Sequence, residues 1–302
     1  MAGESEAGIP CSSSGLRVAM VTGLVQPSAS PPTPACEPVR SRPRALESLS
    51  LSWRIFQRTI AAKYRKSFLG YFWMVAPALL ITGGVTLASE AGVITPGTAR
   101  LPVALSVFLG TLLWQVFAEA VEVPHQAFEG ARSYLTRVHF SRAAIVLTQL
   151  WESLLTTAVR LVAALVLVAI VSGLEVRGAS LVTLCFVGAV LLGLGLGALV
   201  MPFTQLFADL QQTLKLLLGY GLFLTPAMYQ PQGDGWFAII VRANPVSPLI
   251  DAARQAAGGE VLAAPWTLAL VLFAAVATTV LGFLLIRAVA PILIERMLLG
   301  GR

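Results

Sequence analysis

The 302 residues are 56% hydrophobic and only 12% charged, with a mean hydropathy of +0.79. Soluble domains carry about 25% charged residues, so this composition excludes an ordinary water-soluble globule and makes lipid part of the solvent. The net charge of +6 does not point to nucleic acid, because the Lys and Arg residues sit beside apolar runs instead of along one soluble face.

Residues 1–45 are rich in Ser, Pro and Ala, as in "QPSASPPTPACEPVRSRPR". Such a composition cannot bury a core and predicts a disordered cytoplasmic tail. The short apolar run "GLRVAMVTGLV" is interrupted by Arg17 and preceded by Glu4 and Glu6, which argues against a cleaved signal. Residues 46–70 predict an amphipathic helix. Leu46, Leu49, Trp53, Phe56, Ile60 and Tyr64 recur at steps of three and four, with Arg54, Arg58 and Arg65 opposite. A basic helix with an aromatic seam lies flat on a membrane surface more readily than it crosses one. Lys63, Arg65 and Lys66 then run directly into the uncharged "SFLGYFWMVAPALL", so the helix leads into a first crossing.

A bilayer core about 30 Å thick needs roughly 20 helical residues. Apolar runs that meet this length predict an all-α, polytopic domain over 71–290, with six crossings near 71–89, 101–121, 143–171, 178–204, 209–230 and 261–287. Six crossings put both termini on one side. With the termini inside, sixteen Lys and Arg residues fall on the cytoplasmic side and four on the other, the asymmetry expected of the positive-inside rule. Residues 291–302 form the cytoplasmic C-terminus. Between the fifth and sixth crossings, 232–259 is apolar but broken, and its piece Trp236 to Val241 is too short to cross. This segment reads as a pair of extracytoplasmic re-entrant helices, and backbone of that kind needs protein or water around it.

Motifs for chemistry are scarce. There is no G-x-x-x-x-G-K-[ST], H-E-x-x-H or G-x-S-x-G string. The run "GLGLGALV" lies inside an uncharged crossing, where Gly193 and Gly197 form a small-xxx-small pair for close helix packing. Cys11, Cys36 and Cys185 have no metal-ligand spacing, and His125 and His139 read as loop residues, so no metal is expected. Glu119, Glu122 and Glu129 are the local acidic cluster that a membrane-embedded transferase would need. Within the third crossing, Gln149, Glu152, Thr156 and Arg160 make one polar stripe. Charged groups in a bilayer face a bundle interior or a wet cavity, so the stripe lines a path or bonds neighbouring helices. The aromatic residues Tyr71, Phe72, Trp73, Trp114, Phe117, Tyr220, Phe223, Tyr229 and Trp236 cluster near expected crossing ends. An interfacial belt or stacking on sugar rings accounts for them.

Several strings together resemble bacterial ABC-type polysaccharide-export permeases, which handle O-antigen, capsule and teichoic-acid chains. Tyr64, Arg65, Ser67, Leu69, Gly70, Trp73 and Pro77 follow the family's first-crossing pattern. "YLTRVHFSR" is similar to its loop before the third crossing, through Leu135, Arg137, Val138, Phe140 and Arg142, with Ser141 where the family has proline. Pro226 and Tyr229 match the end of the fifth crossing. Asn244, Pro245, Pro248, Leu249, Ile250 and Arg254 match the segment after it. The resemblance covers about residues 46–290.

It implies a transport subunit without enzymatic chemistry of its own. Two copies form a homodimer, and two ABC ATPase subunits, which hold the ATP and Mg, dock beneath it. A coupling helix over about 126–138 would engage the ATPase, with Gln126, Phe128, Tyr134, Leu135, Arg137, Val138, Phe140 and Arg142 as contact residues. Trp53, Arg54, Arg58, Tyr64, Arg65 and Lys66 belong to the interface helix, available to anionic lipid headgroups, the ATPase or a lipid-pyrophosphate-linked glycan. Trp73, Pro77, Tyr220, Phe223 and Tyr229 would border the substrate path, with Glu152 and Arg160. Asn244, Pro245, Pro248 and Arg254 would shape the re-entrant segment. The implied function is export of lipid-linked polysaccharide across the cytoplasmic membrane. The alternatives are export of a drug or lipid, a membrane-embedded transferase, or a passive structural membrane protein.

Overall fold

The computed structural model describes residues 45–65, 70–92, 101–135, 142–173, 175–229 and 235–299. The expectations for the tail, Lys66, Arg137, Val138, His139 and Phe140 lie outside the described residues. Those that are described form α-helices and one short 3-10 helix, with no strand among them. In chain order they are α1 (Ala45–Tyr64), the 3-10 helix Gly70–Met74, α2 (Ala76–Glu90), α3 (Val103–Leu135), α4 (Arg142–Ser172) and α5 (Val176–Leu206). After these come α6 (Ala208–Tyr220), α7 (Trp236–Ala243), α8 (Ser247–Ala257) and α9 (Pro265–Leu299).

Among the described residues, four helical stretches are long and apolar enough to cross a membrane: Val103–Gly130, Leu147–Ser172, Val176–Leu206 and Pro265–Val289. Their burial separates two roles. The most apolar windows of α3 and α5 are 67% and 61% buried, whereas those of α4 and α9 are 17% and 11% buried. The first two are therefore the axis of the bundle, and the last two turn apolar side chains such as Val162, Val166, Ile170, Phe273 and Phe283 outward. That surface is intelligible only with lipid or protein against it.

Glycine sets the distance between α5 and its neighbours. A Cβ on Gly197 would stand 2.1 Å from the Val121 carbonyl oxygen of α3, and one on Gly193 2.6 Å from the Phe117 carbonyl oxygen. The small-xxx-small spacing thus marks a real close approach. The other side of α5 does the same towards α9, where Gly195 lies under Thr278 and Thr279, and Thr279 donates to the Leu191 carbonyl at 2.7 Å.

The two remaining expected crossings are composite. Over 71–89 the chain is the 3-10 helix followed by the 15-residue α2, which alone would reach only about 22 Å. The break follows from Pro77, in the first turn of α2. A ring there fits a helix start but would collide with the Trp73 carbonyl of a continuous helix. Over 209–230, α6 ends at Tyr220, and the backbone tightens into i→i−3 bonds from Phe223, Leu224 and Thr225. Trp114 of α3 occupies the space beside Gly221, where a Cβ would meet its ring at 2.4 Å, and donates Nε1 to the Leu218 carbonyl at 3.1 Å. The indole thus seats the end of α6, and Pro226 follows.

Residues 126–135, the described part of the stretch expected as a coupling helix, are helical and continue α3 without a break. Two local expectations are corrected. His125 is a buried helical residue and not part of a loop. Trp114 and Phe117 are buried in the core, unlike Tyr71, Phe72, Trp73, Tyr220, Phe223 and Trp236, which are exposed as a belt or stacking surface requires.

Candidate functional site

The polar stripe of α4 faces other helices of the same chain, and each of its four members has a partner. Gln149 donates to Gln126 of α3 at 2.8 Å. Glu152 accepts from Lys63 of α1. Thr156 donates to Glu119 of α3 at 2.8 Å, and Arg160 pairs through Nη1 with the other oxygen of the same carboxylate. The Nε of Arg160 donates to the Met74 carbonyl at 3.2 Å, at the end of the 3-10 helix. Arg160 and Glu152 are 12% and 15% exposed at the side chain, so one ribbon of polar contacts joins α1, the 3-10 helix, α3 and α4.

Helix α1, the segment expected as an interface helix, rests on α4. Ser52, Phe56 and Ile60 form its buried face, narrower than the periodicity predicted. Trp53 stacks edge-on against Trp151 at 5.3 Å and 75°, and Thr148 donates to the Ser52 carbonyl at 3.3 Å. Arg54, Arg58 and Arg65 point outward. Tyr64 is the last residue of α1, Tyr134 and Leu135 end α3, and Arg142 opens α4. Between these ends, Gln126 is exposed and Phe128 half-buried. His125 accompanies them unannounced: its Nδ1 lies 2.9 Å from Gln205 Nε2 and 3.3 Å from Thr204 Oγ1, and its Nε2 lies 3.4 Å from Glu129. It ties α3 to the last turn of α5.

A second polar centre lies near the first turn of α3. Arg254 of α8 is 4% exposed. It donates Nε to the Ser106 carbonyl at 3.1 Å and Nη2 to the Ala227 carbonyl at 2.7 Å, with Asp251 at 3.9 Å from Nη1. Burial pulls its guanidinium down to about 10, which leaves it charged at neutral pH. Asn244 closes the turn between α7 and α8: its Oδ1 accepts from the Val246 amide at 3.0 Å, and its Nδ2 donates to Thr225 at 2.9 Å. Pro248 sits in the first turn of α8, and Pro245 is exposed beside Asn244. Tyr229 donates to the Phe223 carbonyl at 2.9 Å.

Of the residues expected to border a path, five fall on the two interrupted segments, whereas Glu152 and Arg160 lie on α4. Trp73 and Pro77 flank the break before α2, while Tyr220 ends α6 and Phe223 and Tyr229 follow it. The three carboxylates a transferase would need do not converge: Glu119 serves Thr156 and Arg160, Glu122 accepts from Gln126 at 3.0 Å, and Glu129 faces His125. The sequence signal for Glu119 was present as a charge inside an apolar run. That for Trp114, Gly110 and the Met74 carbonyl was not, because packing partners far apart in sequence leave no local period.

Residues 50–257 match the family described as ABC-2 type transporter. No curated protein matches the chain.

Proposed function

The chain belongs to the ABC-2 type transporter family, and on that premise we propose that it is the permease of a lipid-linked polysaccharide exporter in the cytoplasmic membrane. Membership makes it a multi-pass transmembrane subunit of an ABC transporter. In the finer reading, the segments 70–90 and 208–229 complete six crossings, both termini are cytoplasmic, and two copies enclose the conduit. A separate ATPase, also in two copies, supplies ATP and Mg. This chain makes no covalent change to its cargo. Its work is differential, since the ATP-bound and ATP-free partners must favour different arrangements of the same helices. The extension of α3 and the loop to Arg142 would receive that signal, and α1, resting on α4, would share it.

The observation that carries the choice of cargo is the set of exposed rings on the two interrupted segments, Trp73, Tyr220 and Phe223. Their apolar faces suit sugar rings. Leucine is exposed beside them, at Leu79, Leu80, Leu216 and Leu217, and this supports drug or lipid export as the second reading. Co-reconstitution with an ABC ATPase subunit from the same organism tests both. Vanadate-sensitive turnover stimulated by a lipid-linked glycan is expected; equal stimulation by the lipid without its glycan sinks the polysaccharide reading. Failure to assemble with any such ATPase sinks the exporter altogether.

A further inference from the structure

We propose that Arg160 and Arg254 are pins that hold the two interrupted segments at their breaks. Both breaks carry the same construction. At the first, the 3-10 helix ends at Met74 and α2 begins at Ala76. The Met74 carbonyl accepts from Arg160 Nε, while Nη1 of the same guanidinium is anchored on Glu119 of α3. At the second, the turns after α6 bring the Ala227 carbonyl to Arg254 Nη2, and Nε of that guanidinium is anchored on the Ser106 carbonyl, again of α3. Each arginine comes from a helix other than the broken segment, and each grips one break carbonyl and one acceptor on α3. The two anchors are about 20 Å apart along that helix at 1.5 Å per residue.

Physical chemistry explains why arginine is used. A carbonyl released by a helix break has no water to turn to inside a lipid-surrounded bundle. The guanidinium offers five donors in a fixed fork and serves two acceptors at once, which a single ammonium cannot do with the same geometry. Room for the second fork is built in: a Cβ on Gly110 would stand 2.5 Å from the Ala227 oxygen and 2.9 Å from Arg254 Nη2. Glu119 offsets the charge of Arg160 and is itself oriented by Thr156.

These are positioning residues. They fix the angle of each broken segment against the α3 axis, and release of a pin frees one segment without the other. Arg160 thereby acquires a role distinct from lining a path. The inference rests on the reading that both segments cross the membrane, and it is independent of the cargo.

Hydrogen exchange of the full chain in phospholipid nanodiscs tests it, with folding checked by gel filtration. Arg160→Gln is made together with Glu119→Gln, so that no buried carboxylate is left alone. We expect exchange over 71–80 to accelerate about tenfold or more, the scale of a lost charged hydrogen bond, with 221–229 unchanged. Arg254→Gln is expected to do the reverse. Arg160→Lys is the second variant: it keeps the charge beside Glu119 but is expected to retain the fast exchange over 71–80. Wild-type exchange in Arg160→Lys assigns mere charge balance to Arg160 and overturns its role as a pin. Equal acceleration of both segments by either variant overturns the inference as a whole. The measurement needs neither ATPase nor glycan, so the pins stand or fall separately from the exporter reading.

Discussion

Gly197 is where a single hydrogen atom decides how closely two crossing helices approach. A Cβ there would lie 2.1 Å from the Val121 oxygen and 2.8 Å from its carbonyl carbon, and both belong to backbone that cannot rotate away. Gly197→Ala is therefore expected to cost about 1–3 kcal/mol, the range for overpacking a filled site, and to lower the unfolding midpoint in detergent. Gly219→Ala is the control, because nothing lies within 4 Å of a Cβ there; it should be neutral or raise the midpoint through helix propensity. An unchanged midpoint for Gly197→Ala would show that α3 and α5 are not locked at this point. Position 197 is legible because small residues four apart mark one helix face. Gly195 and Gly282, which bring α5 and α9 together, are not, since a single spacing rule points to only one face. Likewise the members of the α4 stripe are readable from steps of three and four. Their partners are not, because Arg160 and Glu119 are separated by 41 residues and no period connects them.

At the scale of elements, the attachment of α1 to α4 compares an ion pair with a ring contact. Lys63 is 54% exposed, and exposed pairs contribute about 0–1 kcal/mol once screening is counted. The Trp53–Trp151 contact adds about 0.5–1.5 kcal/mol beyond the area it buries. Trp53→Ala should thus loosen α1 more than Lys63→Ala. Cysteines at positions 52 and 148, whose backbone carbonyl and hydroxyl are 3.3 Å apart, report this as cross-linking yield in membranes. A severalfold fall is expected for Trp53→Ala and less than twofold for Lys63→Ala; the opposite order would make charge the chief attachment. Hydropathy locates all the long helices but draws 71–89 and 209–230 as continuous ones. Apolar character says where lipid is tolerated and nothing about dihedral angles. Pro77 and the glycines around Tyr220 carry that information, and their effect depends on what packs beside them, as Trp114 does beside Gly221.

For the whole molecule, the two broken segments decide the topology. If both cross, α3 is the second crossing and the loop after it returns to the side of the N-terminus, while the loop before α7 emerges opposite. If only α3, α4, α5 and α9 cross, residues 137 and 234 fall on the same side, and the basic stretch ending in Lys66 is separated by a membrane from the arginines at and between the facing ends of α3 and α4, Arg132, Arg137 and Arg142. The positive-inside rule disfavours that separation. Burial adds nothing here, because α2 and α6 pack at the bundle surface in either case. Arg137→Cys and Asp234→Cys, each in a chain whose native cysteines are replaced, are therefore expected to react with an impermeant thiol reagent from opposite faces of the membrane, position 137 only after the cytoplasmic face is opened. Reaction of both from the outside of intact cells would reduce the crossings to four and leave the segments 70–90 and 208–229 lying against the bundle. In the six-crossing arrangement position 137 also falls in the loop proposed to dock the ATPase. Arg137→Ala and Phe140→Ala are then expected to leave ATP hydrolysis running while export falls at least tenfold, measured side by side in reconstituted vesicles. Proportional loss of both activities would place the docking surface elsewhere on the cytoplasmic face.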